Sequence, residues 1–418
     1  MMRMTLAYGR RGLSVEVPDD AVVVRGRQLP ALADEKGAVR QAVSRPLAVA
    51  PLRALARRGQ RVVVVFPDQT RPMPSRIVLP PLLAELEAAG VEASAVTLIC
   101  STGSHRAPTA VELEELLGPA LLECYEVVSH DGADAAHVVV GEVDGVPVGL
   151  DRRYVEADLR IVTGFVEPHV FAGFSGGPKA VCPGVASLET ILVAHSPERI
   201  ASSDATWLKT VGNPVHDFVR AACSLCPPSF SLDVTINSAR KLTAVFAGDV
   251  WKAHAAARAF VERTVVQQLP ERCDLVISTN GGYPLDRNLY QSVKGLAAAE
   301  RVVRPGGTLT MAAECVDGLP PEGDFARILR EAATVDALTD SRARPRLDFW
   351  SAQVLGRVVS GADVGLYSEG LSDEELAIAH VRRVDDISLE IAERLRERPR
   401  ARVCVLPEGP LTVASTVE

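Results

Sequence analysis

The chain has no basic excess, no long apolar run and no orderly set of cysteines. Its net charge of −8 and sequence pI of about 5.6 over 418 residues lack the cationic surplus of general nucleic-acid binders. A bound phosphate would therefore have to be held by a local cluster. No apolar stretch approaches the roughly 20 residues that a membrane helix needs. The opening MMRMTLAYGRRGLSVEVP has no uninterrupted apolar core of the signal-peptide kind. Its alternation around Gly9-Arg10-Arg11-Gly12 reads as a hairpin. The 8 cysteines are scattered, which argues against a disulfide framework. Cys223 and Cys226 form a lone C-x-x-C without the second pair that zinc would ask for. These absences point to a cytoplasmic protein with neither nucleic acid nor membrane as partner.

Two cofactor signatures are missing as well. No strand is followed by G-x-G-x-x-G, and the glycine-rich GGPKA lacks the frame and the Lys-Ser/Thr pair of a nucleotide P-loop. Internal repeats and low-complexity tracts are absent. Hydrophobic content of 47% and charged content of 23% are those of a globular enzyme, and the length suffices for two domains.

A recurring unit of apolar strand, polar loop and helix runs through the first half. Arg61 to Phe66 is a β-branched run suited to a strand buried on both faces. It leads into Asp68-Gln69-Thr70-Arg71 and a helix that Gly90 closes. A strand from Ala95 to Cys100 ends in Thr102-Gly103-Ser104-His105-Arg106, before a helix with a capping-box pattern at Thr109 and Glu112. A third strand, Leu159 to Val162, leads to His169 and the turn Phe174-Ser175-Gly176-Gly177-Pro178-Lys179. Ser187 then reads as the N-cap of a helix that delivers His195. The pattern predicts a doubly wound α/β domain, whose ligands bind beyond the carboxyl ends of the strands. It restarts near Pro270, with strands at Cys273 to Ser278 and TLTMAA, and helix-like sequence to about Arg400. The last strand, Ala401 to Leu406, is expected to return to the first sheet. That predicts a discontinuous first domain, 1–268 plus 388–418, around a second at 269–387.

Three strand ends thus carry Asp68/Thr70/Arg71, His105/Arg106 and His169/Lys179, which makes a site hypothesis. Glycine N–H groups at Ser175-Gly176-Gly177 can face an anion. His105 and His169 could be capping or turn residues; as a pair they suit acid/base work on opposite faces of one substrate, as racemisation demands. His195 on an apolar helix reads as a core histidine or as a neutral imidazole donor to nickel, copper or zinc. Lys179 reads as a phosphate contact or as a cofactor attachment point. Arg71 and Lys294 are carboxylate clamps in waiting, with Tyr290 and Gln291 on the helix face of Lys294. Arg106 has a further reading as a substrate contact. His130, His137, His216, His254 and His380 read as surface or loop residues.

The blocks DQTRPMP, TGSHRAPT, EPHVFAGFSGGPKAVCPG, His195-Ser196, GNPVH and GGYPLDRNLYQSVKG occur in order between about residues 60 and 300. In them the chain resembles the nickel-pincer-nucleotide-dependent lactate racemase family, whose members racemise or epimerise 2-hydroxy acids. The resemblance implies two α/β domains with mostly parallel sheets and an active site in the cleft between them. It implies a nickel-pincer nucleotide of the pyridinium-3,5-bisthiocarboxylic acid mononucleotide type. His195 would be the nickel ligand and Lys179 would lie against the thioamide, covalently linked in some members. Asp68, Thr70, Arg71 and Ser175-Gly176-Gly177 would hold phosphate and ribose. His105 and His169 would be the acid/base pair for proton-coupled hydride transfer. Tyr290, Gln291, Lys294 and Trp350 would line the substrate pocket, with Arg71 and Lys294 near the carboxylate. Substrates in such a family range from lactate and malate to longer and sugar acids, and cofactor-maturation enzymes would be transient partners. The rivals are a nicotinamide-type dehydrogenase of hydroxy acids, a methyltransferase suggested by Arg304-Pro305-Gly306-Gly307, and a non-catalytic carrier of the pincer nucleotide.

Overall fold

The structure is a computed structural model that describes every residue except 27, 28, 135, 321, 322, 417 and 418. It divides into two compact units. The central unit holds Gln28–His195 and Ser203–Arg263. The terminal unit holds Met1–Arg27, Ser196–Ser202 and Thr264–Glu418.

The central unit is built on strands β1 (Val62–Pro67), β2 (Val96–Ser101), β3 (Glu126–Ser129), β4 (Leu159–Phe165), β5 (Phe230–Ile236) and β6 (Leu242–Gly248). They form one sheet in the order β6-β5-β4-β1-β2-β3, parallel except for the β5–β6 pair. Alternate residues of β1 explain its all-apolar sequence. Val62, Val64 and Phe66 belong to one buried cluster, Val63 and Val65 to another, so both faces are covered. Helices α1 (Ser75–Ala88), α2 (Ala110–Leu117), α3 (Leu188–Ala194) and α4 (Pro214–Leu225) lie in the connections between these strands, and α5 (Val250–Val265) follows the last of them. Thr109 and Glu112 close the expected capping box on α2, and Ser187 caps α3 through its hydroxyl. Each such cap contributes about 1 kcal/mol. From β1 the chain steps outward to β2 and β3, then returns to place β4 on the other flank of β1. The gap between the ends of β1 and β4 is therefore a topological switch point, the place where such sheets open a binding crevice.

The terminal unit has its own parallel sheet. Its strands are β7 (Cys273–Thr279), β8 (Val303–Ala312), β9 (Asp363–Tyr367), β10 (Arg382–Arg383) and β11 (Val403–Leu406). With the short strand Val22–Val23 they run in the order β10-β9-β8-β7-β11-Val22–Val23. Helices α6 (Leu289–Glu300) and α7 (Phe349–Gly361) carry Tyr290, Gln291, Lys294 and Trp350. The fold class is the expected one, mixed α/β with mostly parallel sheets.

The expected domain boundaries need correction. Strand β11 pairs with β7, Leu275 opposite Val403, and does not return to the central sheet. The hairpin Met2–Leu6 with Leu13–Val17 forms as expected. Its inward Met4, Leu6, Val15 and Val17 share a core with Leu275 and Ile277, which assigns the N-terminus to the terminal unit. Strand β9 lies in sequence read as helical; only five residues long and enclosed by helices, it carries little local signal. No helix among the described residues is long and apolar enough to cross a membrane.

Candidate active site

The loop after β1 turns back on its own carboxylate. Asp68 is buried, and its Oδ1 accepts from the backbone N–H of Thr70 at 3.1 Å and from the Thr70 hydroxyl at 2.6 Å. Its Oδ2 lies 2.8 Å from Nδ1 of His105, which arrives from the end of β2. Burial alone would raise the Asp68 carboxyl. The charge and hydrogen bond of His105, the Thr70 hydroxyl and the Arg71 guanidinium outweigh it and hold the group below its ordinary range. An ionised Asp68 can only accept, so Nδ1 of His105 carries the proton and Nε2 carries the lone pair.

His169 is held the other way round. It sits on the two-residue strand Pro168–His169, paired with Gly173–Phe174 in a tight hairpin just beyond β4. Its Nδ1 accepts the backbone N–H of Ala172 at 3.3 Å, so in the neutral ring Nε2 bears the proton. The two imidazoles are thereby held in opposite tautomers. Arg71 comes within 4.0 Å of Glu167, bridging the ends of β1 and β4 across the switch point.

His195 follows the last turn of α3 and is buried. Its Nδ1 donates to the Ile191 carbonyl at 2.8 Å. Burial drives its imidazole down to about 3, with the Lys179 charge pushing the same way. The ring is therefore neutral, with its lone pair on Nε2, the state a metal ligand requires. Half-buried Lys179 belongs to a short 3₁₀ turn, Gly177–Ala180. Desolvation lowers its ammonium to about 7, and Arg71 adds to that shift. Phe171 stands among these groups. Its ring centroid lies 4.6 Å from that of His169, 5.4 Å from that of His195 and 6.0 Å from Nζ of Lys179.

The geometry gives three of the expected phosphate holders other work. Asp68 faces His105 and Thr70, as described. The Ser175 hydroxyl donates to the Phe165 carbonyl at 2.7 Å and accepts the Glu167 N–H at 2.9 Å. The Gly177 N–H donates inward to Asp233 at 3.0 Å. The glycines serve close packing instead: a Cβ at Gly177, where φ is +52°, would meet the ring of His254 at 2.4 Å. His254 in turn donates from Nε2 to the Ser175 carbonyl at 2.9 Å. The turn is thus clamped from behind by Asp233 and His254.

His130, His216 and His254 are buried, not surface residues as their sequence context suggests. His130 lies 2.9 Å from the Ala186 carbonyl, and His216 stacks on His254 with centroids 6.2 Å apart. Burial lowers His216 to about 4 and His254 to about 3, so both are neutral. Cys223 and Cys226 sit in the apolar core, where burial pushes both thiols up. Arg106 is engaged bidentately by Glu112 at 2.7 and 2.6 Å. Phe171, Asp233 and Asn213 carry no charge pattern that would single them out in the sequence.

In the terminal unit, α6 gathers the other candidates. Nζ of Lys294 donates to Oε1 of Gln291 at 2.8 Å, and Nε1 of Trp350 donates to the Tyr290 hydroxyl at 3.3 Å. Burial raises the Tyr290 phenol, and nearby Asp348 raises it further. It is a neutral hydroxyl at any physiological pH.

Comparison with known proteins places these features. Residues 8–207 match the family model of the lactate racemase N-terminal domain, and residues 268–414 that of the lactate racemase C-terminal domain. A lactate racemase from Thermoanaerobacterium thermosaccharolyticum is 34% identical over 98% of each chain. One from Lactiplantibacillus plantarum is 32% identical over 98% of this chain and 99% of that protein. The solved structure of the Thermoanaerobacterium thermosaccharolyticum lactate racemase apoprotein superposes with a TM-score of 0.89 at 33% identity, covering 99% of this chain and 100% of that one. A Thermotoga maritima protein of 18% identity shares the fold alone, with a TM-score of 0.69 over 93% of this chain and 100% of that one. Matched in both halves and along nearly its whole length, this chain belongs to the lactate racemase family.

Proposed function

We propose that the protein is a cytoplasmic racemase that inverts C2 of a 2-hydroxy acid, lactate before others, with a nickel-pincer nucleotide of the pyridinium-3,5-bisthiocarboxylic acid mononucleotide type. The observation that carries this reading is the opposed tautomers of His105 and His169, one presenting a lone pair at Nε2 and the other a proton. A racemase must remove and return a proton in either direction, so a base and an acid that exchange roles suit it.

The residues fit such a cofactor. His195 supplies a neutral imidazole, which suits nickel. Among the described residues no three His, Cys, Asp or Glu side chains could hold a metal by themselves. A metal at His195 would take its other donors from a bound organic group. Lys179, lowered to about 7, is an amine suited to contact or link to a thioacid. Arg71 would hold the phosphate, with Thr70 fixed beside it by Asp68. When bound, the group supplies the carbon that accepts and returns the C2 hydride.

In the reaction, Nε2 of His105 takes the hydroxyl proton while Asp68 stabilises the imidazolium that forms. The substrate then passes through a planar 2-oxo acid. Nε2–H of His169 serves as the complementary acid, and the two histidines exchange roles in the reverse direction. Arg71 is the candidate carboxylate contact on the side of the two histidines. Cofactor-maturation enzymes would be transient partners.

The test is to produce the protein alongside cofactor-making enzymes, dialyse it, and measure bound nickel and intact mass. About one nickel per chain, with a sulfur-bearing nucleotide, is expected of a single-ligand site. His195→Ala should lose the nickel. A chain that carries neither nickel nor nucleotide from a competent host would refute the reading.

A further inference from the structure

We propose that Phe171 is a positioning residue of this site: its ring sets where His169, His195 and Lys179 stand, and Asn213 sets where the ring stands. The inference rests on the racemase reading for its catalytic consequence, though not for its geometry.

Phe171 occupies the tip of the hairpin in which His169 pairs with Gly173. Gly173 makes that turn possible, since its φ is +77° and a Cβ there would meet the Lys209 carbonyl at 2.1 Å. The ring is buried at 6% exposure, too little to be a surface aromatic. Its plane stands at 77° to the His169 ring and at 87° to the His195 ring. Edge-to-face contacts of this kind fix rotation as well as distance. The 3.3 Å bond from Ala172 fixes Nδ1 of His169, and the Phe171 ring packs edge-to-face on the same imidazole. Lys179 lies at the outer reach of a cation–π contact with the same ring. One side chain thus packs on the acid histidine, the metal-ligand candidate and the reactive amine.

The ring's own position is set by Asn213, from the GNPVH block to which the site gives no chemistry. Asn213 is fully buried. Its Nδ2 donates to the Phe171 carbonyl at 2.9 Å and to the Lys209 carbonyl at 3.0 Å. Its Oδ1 accepts from the N–H groups of Val215 and His216, at 3.0 and 3.2 Å, as the N-cap of α4. All four capacities of the amide are used. The start of a rigid helix and the hairpin tip are thereby joined through one side chain.

The test compares Phe171→Leu and Phe171→Met, which remove the flat ring, with Phe171→Tyr, which keeps it. In the cofactor-free protein, imidazole ¹⁵N shifts report the His169 tautomer. The wild type and Phe171→Tyr should hold the Nε2–H form, and Phe171→Leu or Phe171→Met should show a mixture. In the loaded enzyme, the ring-less variants should lose about tenfold or more in kcat with KM within about twofold, and Phe171→Tyr should restore most of it. A folded ring-less variant with an unchanged His169 tautomer and unchanged kcat would overturn the proposal. Wild type that holds the tautomer yet never racemises would refute the racemase reading and leave the positioning role intact.

Discussion

The Asp68 carboxylate lies 2.8 Å from Nδ1 of His105 while its other oxygen holds both polar groups of Thr70. One buried anion therefore decides which nitrogen of the neighbouring histidine carries the proton. Replacing it by the isosteric amide keeps the shape and removes the decision. Asp68→Asn should reduce kcat by about 10²-fold or more, with nickel content unchanged. The paired readout is the His105 tautomer by ¹⁵N shift. A variant at full activity would show that Asp68 is a structural residue only.

Desolvation and the Arg71 charge lower the Lys179 ammonium to about 7. An ordinary lysine at pH 7 is free amine in only about one molecule in 10³. Competitive labelling of the cofactor-free chain with acetic anhydride, mapped by mass, should show Lys179 reaching half its maximal reactivity near pH 7. Reactivity that climbs only with the ordinary lysines, toward about pH 10, would contradict the desolvated amine.

Behind the glycine turn, burial raises the Asp233 carboxyl to about 6, against the hydrogen bond from Gly177. The folded state then binds more protons than the unfolded one between about pH 4 and 6, so stability falls as pH rises through that window. Asn at this position can still accept from Gly177 and never carries the charge. Asp233→Asn should therefore be the more stable chain at pH 8, by up to about 3 kcal/mol, with the difference shrinking below pH 6. Denaturant midpoints at the two pH values read this directly. A variant less stable at pH 8 would mean that the charge itself is needed.

Arg106 follows His105 in sequence, yet its guanidinium is committed to Glu112, whose carboxyl that bond lowers to about 2. A cation already paired is a poor second clamp for a dicarboxylate. Lactate should be inverted with a kcat/KM about tenfold or more above that for malate, and Glu112→Ala should narrow the gap. Equal turnover of the two acids by the wild type would show that some other cation reads the second carboxylate.

What the sequence discloses follows from how local each feature is. Strands β1, β2 and β4 are legible because burial on both faces demands unbroken apolar runs, and the caps at Thr109 and Ser187 because they act within one turn. His105, His169, Lys179 and His195 stand out as charge-bearing residues at strand and helix ends. The work of Asp233 is hidden: it holds an N–H 56 residues away, and nothing in an apolar strand marks it for that. Phe171 is hidden for another reason, since an aromatic beside a glycine reads as core whether or not catalytic groups pack on it. The destination of β11 is likewise unreadable, because a short apolar strand satisfies either sheet equally well.

The central claim is that His105 and His169 are the base and the acid of an inversion at C2. Optical rotation of L-lactate, incubated with protein carrying nickel and nucleotide, tests it most directly. The wild type should drive the rotation to zero. His105→Ala and His169→Ala should each slow that decay by about 10²-fold or more while retaining the metal. A wild type that holds nickel and leaves the rotation unchanged would contradict the account, as would either alanine variant racemising at the full rate.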